Sequence, residues 1–159
     1  EVKYEQSIVA PAVNYLFQLY ELTGKILYLE EGKKQLAVLV LFNGHQPDFH
    51  MYENAVRHWD GYWFGKYKNL GDTFPHYWSS LSGVAFREYE KITGERSYGV
   101  KAENSLRGVL SMINGDGSAS CAYVYPFMVN NVRCQYADPW ANDQDWALYY
   151  YLKEGKNYD

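Results

Sequence analysis

The chain has 159 residues, a net charge of −4 and an aromatic content of 18% that includes 17 Tyr and 5 Trp. That length supports one domain with a real core, taken as residues 1–159. Scattered Lys and Arg form no basic stripe, which argues against a nucleic-acid partner. The longest clean apolar stretch, Leu36 to Phe42, falls far short of the roughly 18 residues a membrane span needs.

In chain order, Tyr4 to Leu22 reads as a first helix. Ile8, Val9, Ala12, Val13, Leu16 and Leu19 keep helical spacing, and the apolar residues spread round most of the circumference, so burial on several sides is expected. Pro11 falls inside this window, in the first turn or at a kink, and Gly24 supplies the stop. Ile26 to Phe42 reads as a second, amphipathic helix, with Leu29, Gly32, Leu36, Leu39 and Val40 on one face and Glu30, Glu31, Lys33, Lys34 and Gln35 on the other.

A long connection follows. Val56 to Trp59, Asp60-Gly61 and Tyr62 to Phe64 predict a β-hairpin with an Asp-Gly turn. Pro75 to Ile92 reads as a third helix, with Pro75 in its first turn and Asp72 near its start. Ser79, Ser80, Ser82 and Gly83 permit a close helix approach. Ser97 to Ile113 reads as a fourth helix with a stripe of Ala102, Leu106, Val109, Leu110 and Ile113, and Gly115-Asp116-Gly117 as a turn. A second hairpin is expected from Ala119 to Tyr125 and Val132 to Tyr136 around Asn130-Asn131. Asn142 to Leu152 is the fifth helix, with Asn142 as N-cap and Asp145 completing a capping box. Cys121 and Cys134 could pair across the second hairpin, but two cysteines make no disulfide framework and reduced thiols are the expectation.

Thr23-Gly24 recurs as Thr93-Gly94, 70 residues later, and Tyr28, Leu36, Leu39 and Val40 recur as Tyr98, Leu106, Val109 and Leu110. This is a helical-hairpin repeat with short Thr-Gly turns and long aromatic-rich connections. In an antiparallel array every second connection emerges on the same face, so the long connections are expected together, opposite the Thr-Gly turns. Helices one, three and five are then expected as an inner layer and helices two and four as an outer, amphipathic one. Such repeats need neighbours to bury each face. Self-association through exposed helix faces is accordingly expected.

The fold class is therefore mainly α: about five helices as hairpins of an incomplete (α/α) toroid, with β-hairpins in the long loops. The stretches Arg57-His58-Trp59-Asp60-Gly61-Tyr62-Trp63-Phe64-Gly65-Lys66, Gly71-Asp72-Thr73-Phe74-Pro75-His76-Tyr77-Trp78-Ser79, Gly117-Ser118-Ala119-Ser120-Cys121-Ala122-Tyr123-Val124-Tyr125-Pro126 and Ala141-Asn142-Asp143-Gln144-Asp145-Trp146 resemble a poorly characterised bacterial branch of the six-hairpin glycosidase superfamily. The resemblance implies a ring of six helical hairpins with a carbohydrate site on the long-loop face. Five helices do not close such a ring. The expectation is the C-terminal part of a longer enzyme, inactive in isolation.

Glycoside hydrolysis uses two carboxyl groups. The long-loop face offers Asp48, Glu53, Asp60, Asp72, Asp138, Asp143 and Asp145, of which Asp60, Asp72 and Asp145 are the leading candidates. Asp60 lies among aromatic residues that favour a raised general-acid pKa, but Asp60-Gly61 also serves as a plain turn. Asp72 and Asp145 have a plain alternative as helix-start residues. Trp59, Tyr62, Trp63 and Trp78 are candidate sugar platforms, with flat rings and polar tips. His58, His76 and Arg57 are candidate hydrogen-bonding and carboxylate-pairing groups. His45, His50, His58 and His76 lack metal-ligand spacing, and no nucleotide or phosphate-binding motif occurs, so neither metal nor cofactor is expected. The expected function is a glycoside hydrolase part acting on oligosaccharides. A polysaccharide lyase and a non-catalytic carbohydrate-binding or structural domain are the alternatives.

Overall fold

The structure, a computed structural model, describes residues 6–42, 72–119, 122–125, 128–129, 132–133 and 144–154. Its helices are α1 (Gln6–Thr23), α2 (Ile26–Val40), α3 (Trp78–Thr93), α4 (Arg96–Gly108) and α5 (Gln144–Glu154), and a 3₁₀ turn, Val109–Met112, prolongs α4. Four short strands accompany them: β1 (Asp72–His76), β2 (Ala122–Tyr125), β3 (Met128–Val129) and β4 (Val132–Arg133). The architecture is mainly α. No described helix is long and apolar enough to cross a membrane.

The two Thr-Gly turns are built from the same bonds. Gly24 N–H donates to the Tyr20 carbonyl and Gly94 N–H to the Glu90 carbonyl, both at 2.7 Å. The Thr23 hydroxyl donates to the Leu19 carbonyl at 2.5 Å and accepts from Lys25 N–H at 3.3 Å. The Thr93 hydroxyl donates to the Tyr89 carbonyl at 2.7 Å and accepts from Glu95 N–H at 3.2 Å. Gly24 and Gly94 have φ of +67° and +74°, the left-handed region that a side chain disfavours. The repeat thus preserves a complete helix-stop device.

α3 occupies the centre and touches α1, α2, α4 and α5. Ser79 to Arg87 are buried without a break, so this helix has no solvent stripe over most of its length. Val9, Ala10, Val13 and Phe17 of α1 meet Leu36 and Leu39 of α2, Leu81, Ala85, Phe86 and Tyr89 of α3, and Ala102 of α4 in one core cluster. A second cluster joins Tyr77, Val109, Met112 and Ala147. α1, α3 and α5 form a row, and α2 and α4 cover it through their own hairpin partners. The inner-layer expectation holds fully for α3, whereas α1 and α5 each keep an exposed side.

Small residues set the helix spacing. A Cβ on Gly83 would lie 2.8 Å from Leu106 Cγ and 3.3 Å from the Ala102 carbonyl oxygen, so α3 and α4 approach through this glycine. Gly32 lies against the Phe17 ring, where a Cβ would collide with it. The repeat-equivalent place in the second hairpin is filled differently. Arg87 stands where the repeat puts Phe17, and Glu103 where it puts Lys33. Arg87 Nη1 donates to Glu90 Oε2 at 2.6 Å and Nη2 to Glu103 Oε2 at 3.1 Å. Gly99 leaves the room that the Glu90 carboxylate occupies.

Several expected boundaries change. The third helix begins at Trp78 rather than Pro75, because Asp72–His76 is a strand. β1 pairs antiparallel with β2 in the register Asp72–Tyr125, Thr73–Val124 and His76–Ala122, with an irregularity between Thr73 and His76. Pro75 has no N–H to donate and sits within that irregularity, where a ladder bond is already missing. The fourth helix tightens to 3₁₀ geometry after Gly108, so Ile113 lies beyond it and bridges Ala119. The second hairpin is not formed as expected: Ala122–Tyr125 pairs with β1, and the hairpin contact joins Met128–Val129 to Val132–Arg133. The expected hairpin over 56–64, Asn142 and both cysteines lie outside the described residues. The 115–117 turn forms. Asp116 Oδ1 accepts from Ser118 N–H at 2.9 Å and from its hydroxyl at 2.7 Å. The Ser118 hydroxyl and N–H hold the Asp116 carboxyl below its ordinary pKa.

Candidate functional site

The β1–β2 ladder is the geometric centre of the candidate site. One strand belongs to the connection between the two hairpins and the other to the connection between α4 and α5. Pairing them joins both long connections at one end of the row, opposite the Thr-Gly turns, as the alternating topology requires. β1 runs straight into α3, so Asp72 and His76 lie on the segment that delivers the chain to Tyr77 and Trp78.

At that end the first turns of α3 and α5 meet through aromatic rings. Tyr77 packs edge-on to Trp78, with centroids 5.9 Å apart, and edge-on to Trp146, 6.2 Å apart. Tyr77 is buried at 8% exposure, Trp78 is half-buried between both core clusters, and Trp146 is 45% exposed. Edge-to-face contacts hold each ring in a fixed attitude, and such pairs are worth about 0.5–1.5 kcal/mol beyond the area they bury. The partly exposed indole of Trp146 follows Asp145, which is itself exposed in the first turn of α5.

The predicted site residues fall into three groups. Asp72 and His76 open and close β1, the strand that leads into Trp78 at the start of α3. Asp145 reaches the same end through α5. Arg57, His58, Trp59, Asp60, Tyr62 and Trp63 lie outside the described residues, as do Asp48, Glu53, Asp138, Asp143, His45 and His50. The helix-start alternative for Asp72 does not fit. The N-cap of α3 is Tyr77, without a side-chain cap bond, and the Ser80 hydroxyl donates to the Tyr77 carbonyl at 2.6 Å. Trp78 is tied into both cores, so its ring has a packing role beside any role toward ligand.

Trp146 is not among the expected platforms. The available signal was positional: like Trp78, it stands in the first turn of a helix entered from a long connection. A groove of about 260 Å³ lies farther down the row, lined by Pro11, Asn14, Tyr15 and Gln18 of α1, Leu81 and Val84 of α3 and Tyr150 of α5. Within it Asn14 Oδ1 is buried with no hydrogen-bond partner among the described residues. No group of three or more His, Cys, Asp or Glu able to hold a metal ion occurs among the described residues.

Neither a family model nor a curated protein matches the chain. Among solved structures, one described as a polysaccharide lyase is 54% identical over 98% of this chain, with a TM-score of 0.75. The chain spans 23% of that protein's length.

Proposed function

We propose that this chain is part of a carbohydrate-active enzyme, and that it shapes a polysaccharide cleft at the end of the helical row where β1 and β2 join the long connections. The observation that carries the reading is the 54% identity, over 98% of the chain, to a polysaccharide lyase. The braced aromatic cluster of Tyr77, Trp78 and Trp146 supports it, because flat rings beside polar tips suit sugar binding.

Between the two reactions considered, the identity favours elimination over hydrolysis. A lyase removes the proton beside a uronate carboxylate and expels the glycosidic oxygen, which takes up a proton. That chemistry calls for a cation on the carboxylate, a base and an acid, rather than for two carboxyl groups. Arg57 is then the candidate carboxylate partner, and His58 and His76 the candidate proton-transfer groups. Trp59, Tyr62, Trp63, Trp78 and Trp146 remain the candidate platforms. Asp60, Asp72 and Asp145 become candidates for orienting those groups, and they hold the acid and base roles only if the reaction is hydrolysis. A ring of (α/α) hairpins is part of the same proposal, since the row α1–α3–α5 with α2 and α4 outside it has the layering of an arc of such a ring.

Fluorescence titration of the chain with a polyuronate tests the binding half. Saturable quenching that weakens about 5- to 10-fold in Trp146→Ala is expected, in keeping with an aromatic contact worth about 1 kcal/mol. No quenching by any acidic polysaccharide would remove the reading. For the reaction, elimination leaves an ultraviolet-absorbing unsaturated uronate, whereas hydrolysis releases reducing ends without one. Reducing ends without absorbance would restore the hydrolase.

A further inference from the structure

Two helices start at the end of the row where β1 and β2 join. α3 is entered from β1, with His76 immediately before Tyr77, and α5 opens with Gln144 and Asp145. The first turn of α5 meets the start of α3 through one ring. Tyr77 contacts Trp146 at an interplanar angle of 84° and Trp78 at 77°, so both contacts are close to perpendicular. Tyr77 also clusters with Val109 and Met112 of the 3₁₀ turn that prolongs α4, and with Ala147 of α5. It is thus a joint between three elements: the start of α3, the start of α5 and the end of α4. The backbone beneath the ring is held too, since the Tyr77 carbonyl accepts from Ser80 N–H at 3.1 Å and from the Ser80 hydroxyl at 2.6 Å.

The helical repeat does not itself call for rings at this place. An offset of 70 residues puts Ser7 and Ile8 where the second hairpin has Tyr77 and Trp78. The positions on the partner helix keep their character: Leu39 and Phe42 in the first hairpin, Val109 and Met112 in the second, all buried. An aromatic pair at the helix start is therefore a property of the second hairpin and not of the hairpin scaffold. What the second hairpin has beside it is the first turn of α5. In a perpendicular pair the positive edge of one ring meets the negative face of the other, a preference that an aliphatic side chain of similar bulk does not reproduce.

We infer that Tyr77 is a positioning residue of the proposed cleft: its ring holds the Trp146 indole, and with it the first turn of α5 that carries Asp145, in a fixed attitude to the start of α3. The inference rests on the carbohydrate reading, in which Trp146 is a sugar platform. Tyr77 is 8% exposed and acts through Trp146 rather than on the sugar. An indole already set in place spares the ordering cost that a mobile side chain adds to binding, about 0.5–1.5 kcal/mol for each one immobilised. Losing that setting costs less than losing the indole itself. Tyr77→Leu should therefore weaken polyuronate binding about 3- to 5-fold, against the larger loss in Trp146→Ala.

The test is a double-mutant cycle in the whole chain, titrated calorimetrically with a polyuronate, with far-UV circular dichroism and urea unfolding to verify that each variant folds. Tyr77→Phe keeps the ring and should bind as the wild type does. Tyr77→Leu should bind about 3- to 5-fold more weakly. In a Trp146→Ala background the same change should cost less than about 1.5-fold, because no indole is left to position. The Trp146 contribution to near-UV circular dichroism is read as the difference between each parent and its Trp146→Phe variant. It should persist in Tyr77→Phe and collapse in Tyr77→Leu, since such bands report fixed ring packing. A purely structural Tyr77 would lower the urea midpoint without coupling to Trp146. Tyr77→Met takes the place of Tyr77→Leu should the latter misfold. Unchanged binding in Tyr77→Leu, an equal loss in both backgrounds, or an intact near-UV band would each overturn the inference and leave the carbohydrate reading standing. A wild type that binds no acidic polysaccharide would remove that reading and the inference with it.

Discussion

Replacing Arg87 by Met removes a cation that bridges two carboxylates in the α3–α4 interface. The Arg87 side chain is 3% exposed, and those of Glu90 and Glu103 are 13% and 18% exposed. Removing one member of a buried ion pair costs about 3–5 kcal/mol, because the remaining charges lose their partner without regaining water. Two features lower that figure. Arg107, with a 63% exposed side chain, also pairs with Glu103, so this carboxylate keeps a cation. Methionine also replaces much of the packing of the arginine stem. The expected loss is about 2–4 kcal/mol. With a urea slope of about 2 kcal/mol/M, the unfolding midpoint read by circular dichroism should fall by about 1–2 M. Arg87→Lys keeps the charge but not the fork that reaches both carboxylates, and should lie between. Arg107→Ala, at the exposed pair, should change stability by about 0–1 kcal/mol. If Arg87→Met loses less than about 0.5 kcal/mol at unchanged slope, the ion pair does not hold the hairpin together and the argument from burial fails.

Gly32→Ala should cost about 1–3 kcal/mol, because the Phe17 ring occupies the place of the new methyl group, and most of that loss should disappear in a Phe17→Leu background. Equal losses in both backgrounds would show that the ring is not the obstacle. Gly94→Ala meets nothing within 4 Å of the added carbon, so its cost is conformational, about 1–2 kcal/mol, read from the same urea titration. Lys91 gives a pH test. Partial burial pulls its pKa down, but the hydrogen bonds to Glu154 and Glu88 outweigh this and leave it raised. A pKa raised by folding adds stability that is complete below the ordinary lysine value and is lost as pH climbs through the folded one. The stability margin of the wild type over Lys91→Met should therefore be flat near neutrality and shrink above about pH 10.5; a margin growing with pH would reverse the assignment.

The helices and their stops were legible because both signals are local. A stripe at helical spacing and a Thr-Gly pair lie within a few residues of the structure they specify, and the second hairpin repeats them. β1 was not legible. Asp72-Thr73-Phe74-Pro75-His76 carries a proline suited to a helix start, and what makes it a strand is β2, far along the chain. For the same reason Ala122–Tyr125 looked like half of a hairpin. Arg87 was hidden in another way: a charge at a position that the first hairpin fills with Phe17 gives no local sign that two acids will close round it. At the site, the alternation of short and long connections gathered Asp72, His76, Trp78 and Asp145 to one end from counting alone. Which ring stays exposed there depends on tertiary packing, and so Trp146 escaped notice.

The β1–β2 ladder also constrains how this end of the helical row can change over time. Loops that stand alone accept insertions and deletions freely, but these two connections share backbone bonds, so a length change in one shifts the register of the other. The irregularity at Pro75 relaxes that constraint at a single point, since a residue gained or lost there alters a place already out of register. Natural variation in length along this seam should therefore collect between Thr73 and His76, leaving the Asp72–Tyr125 pairing and the entry into α3 undisturbed.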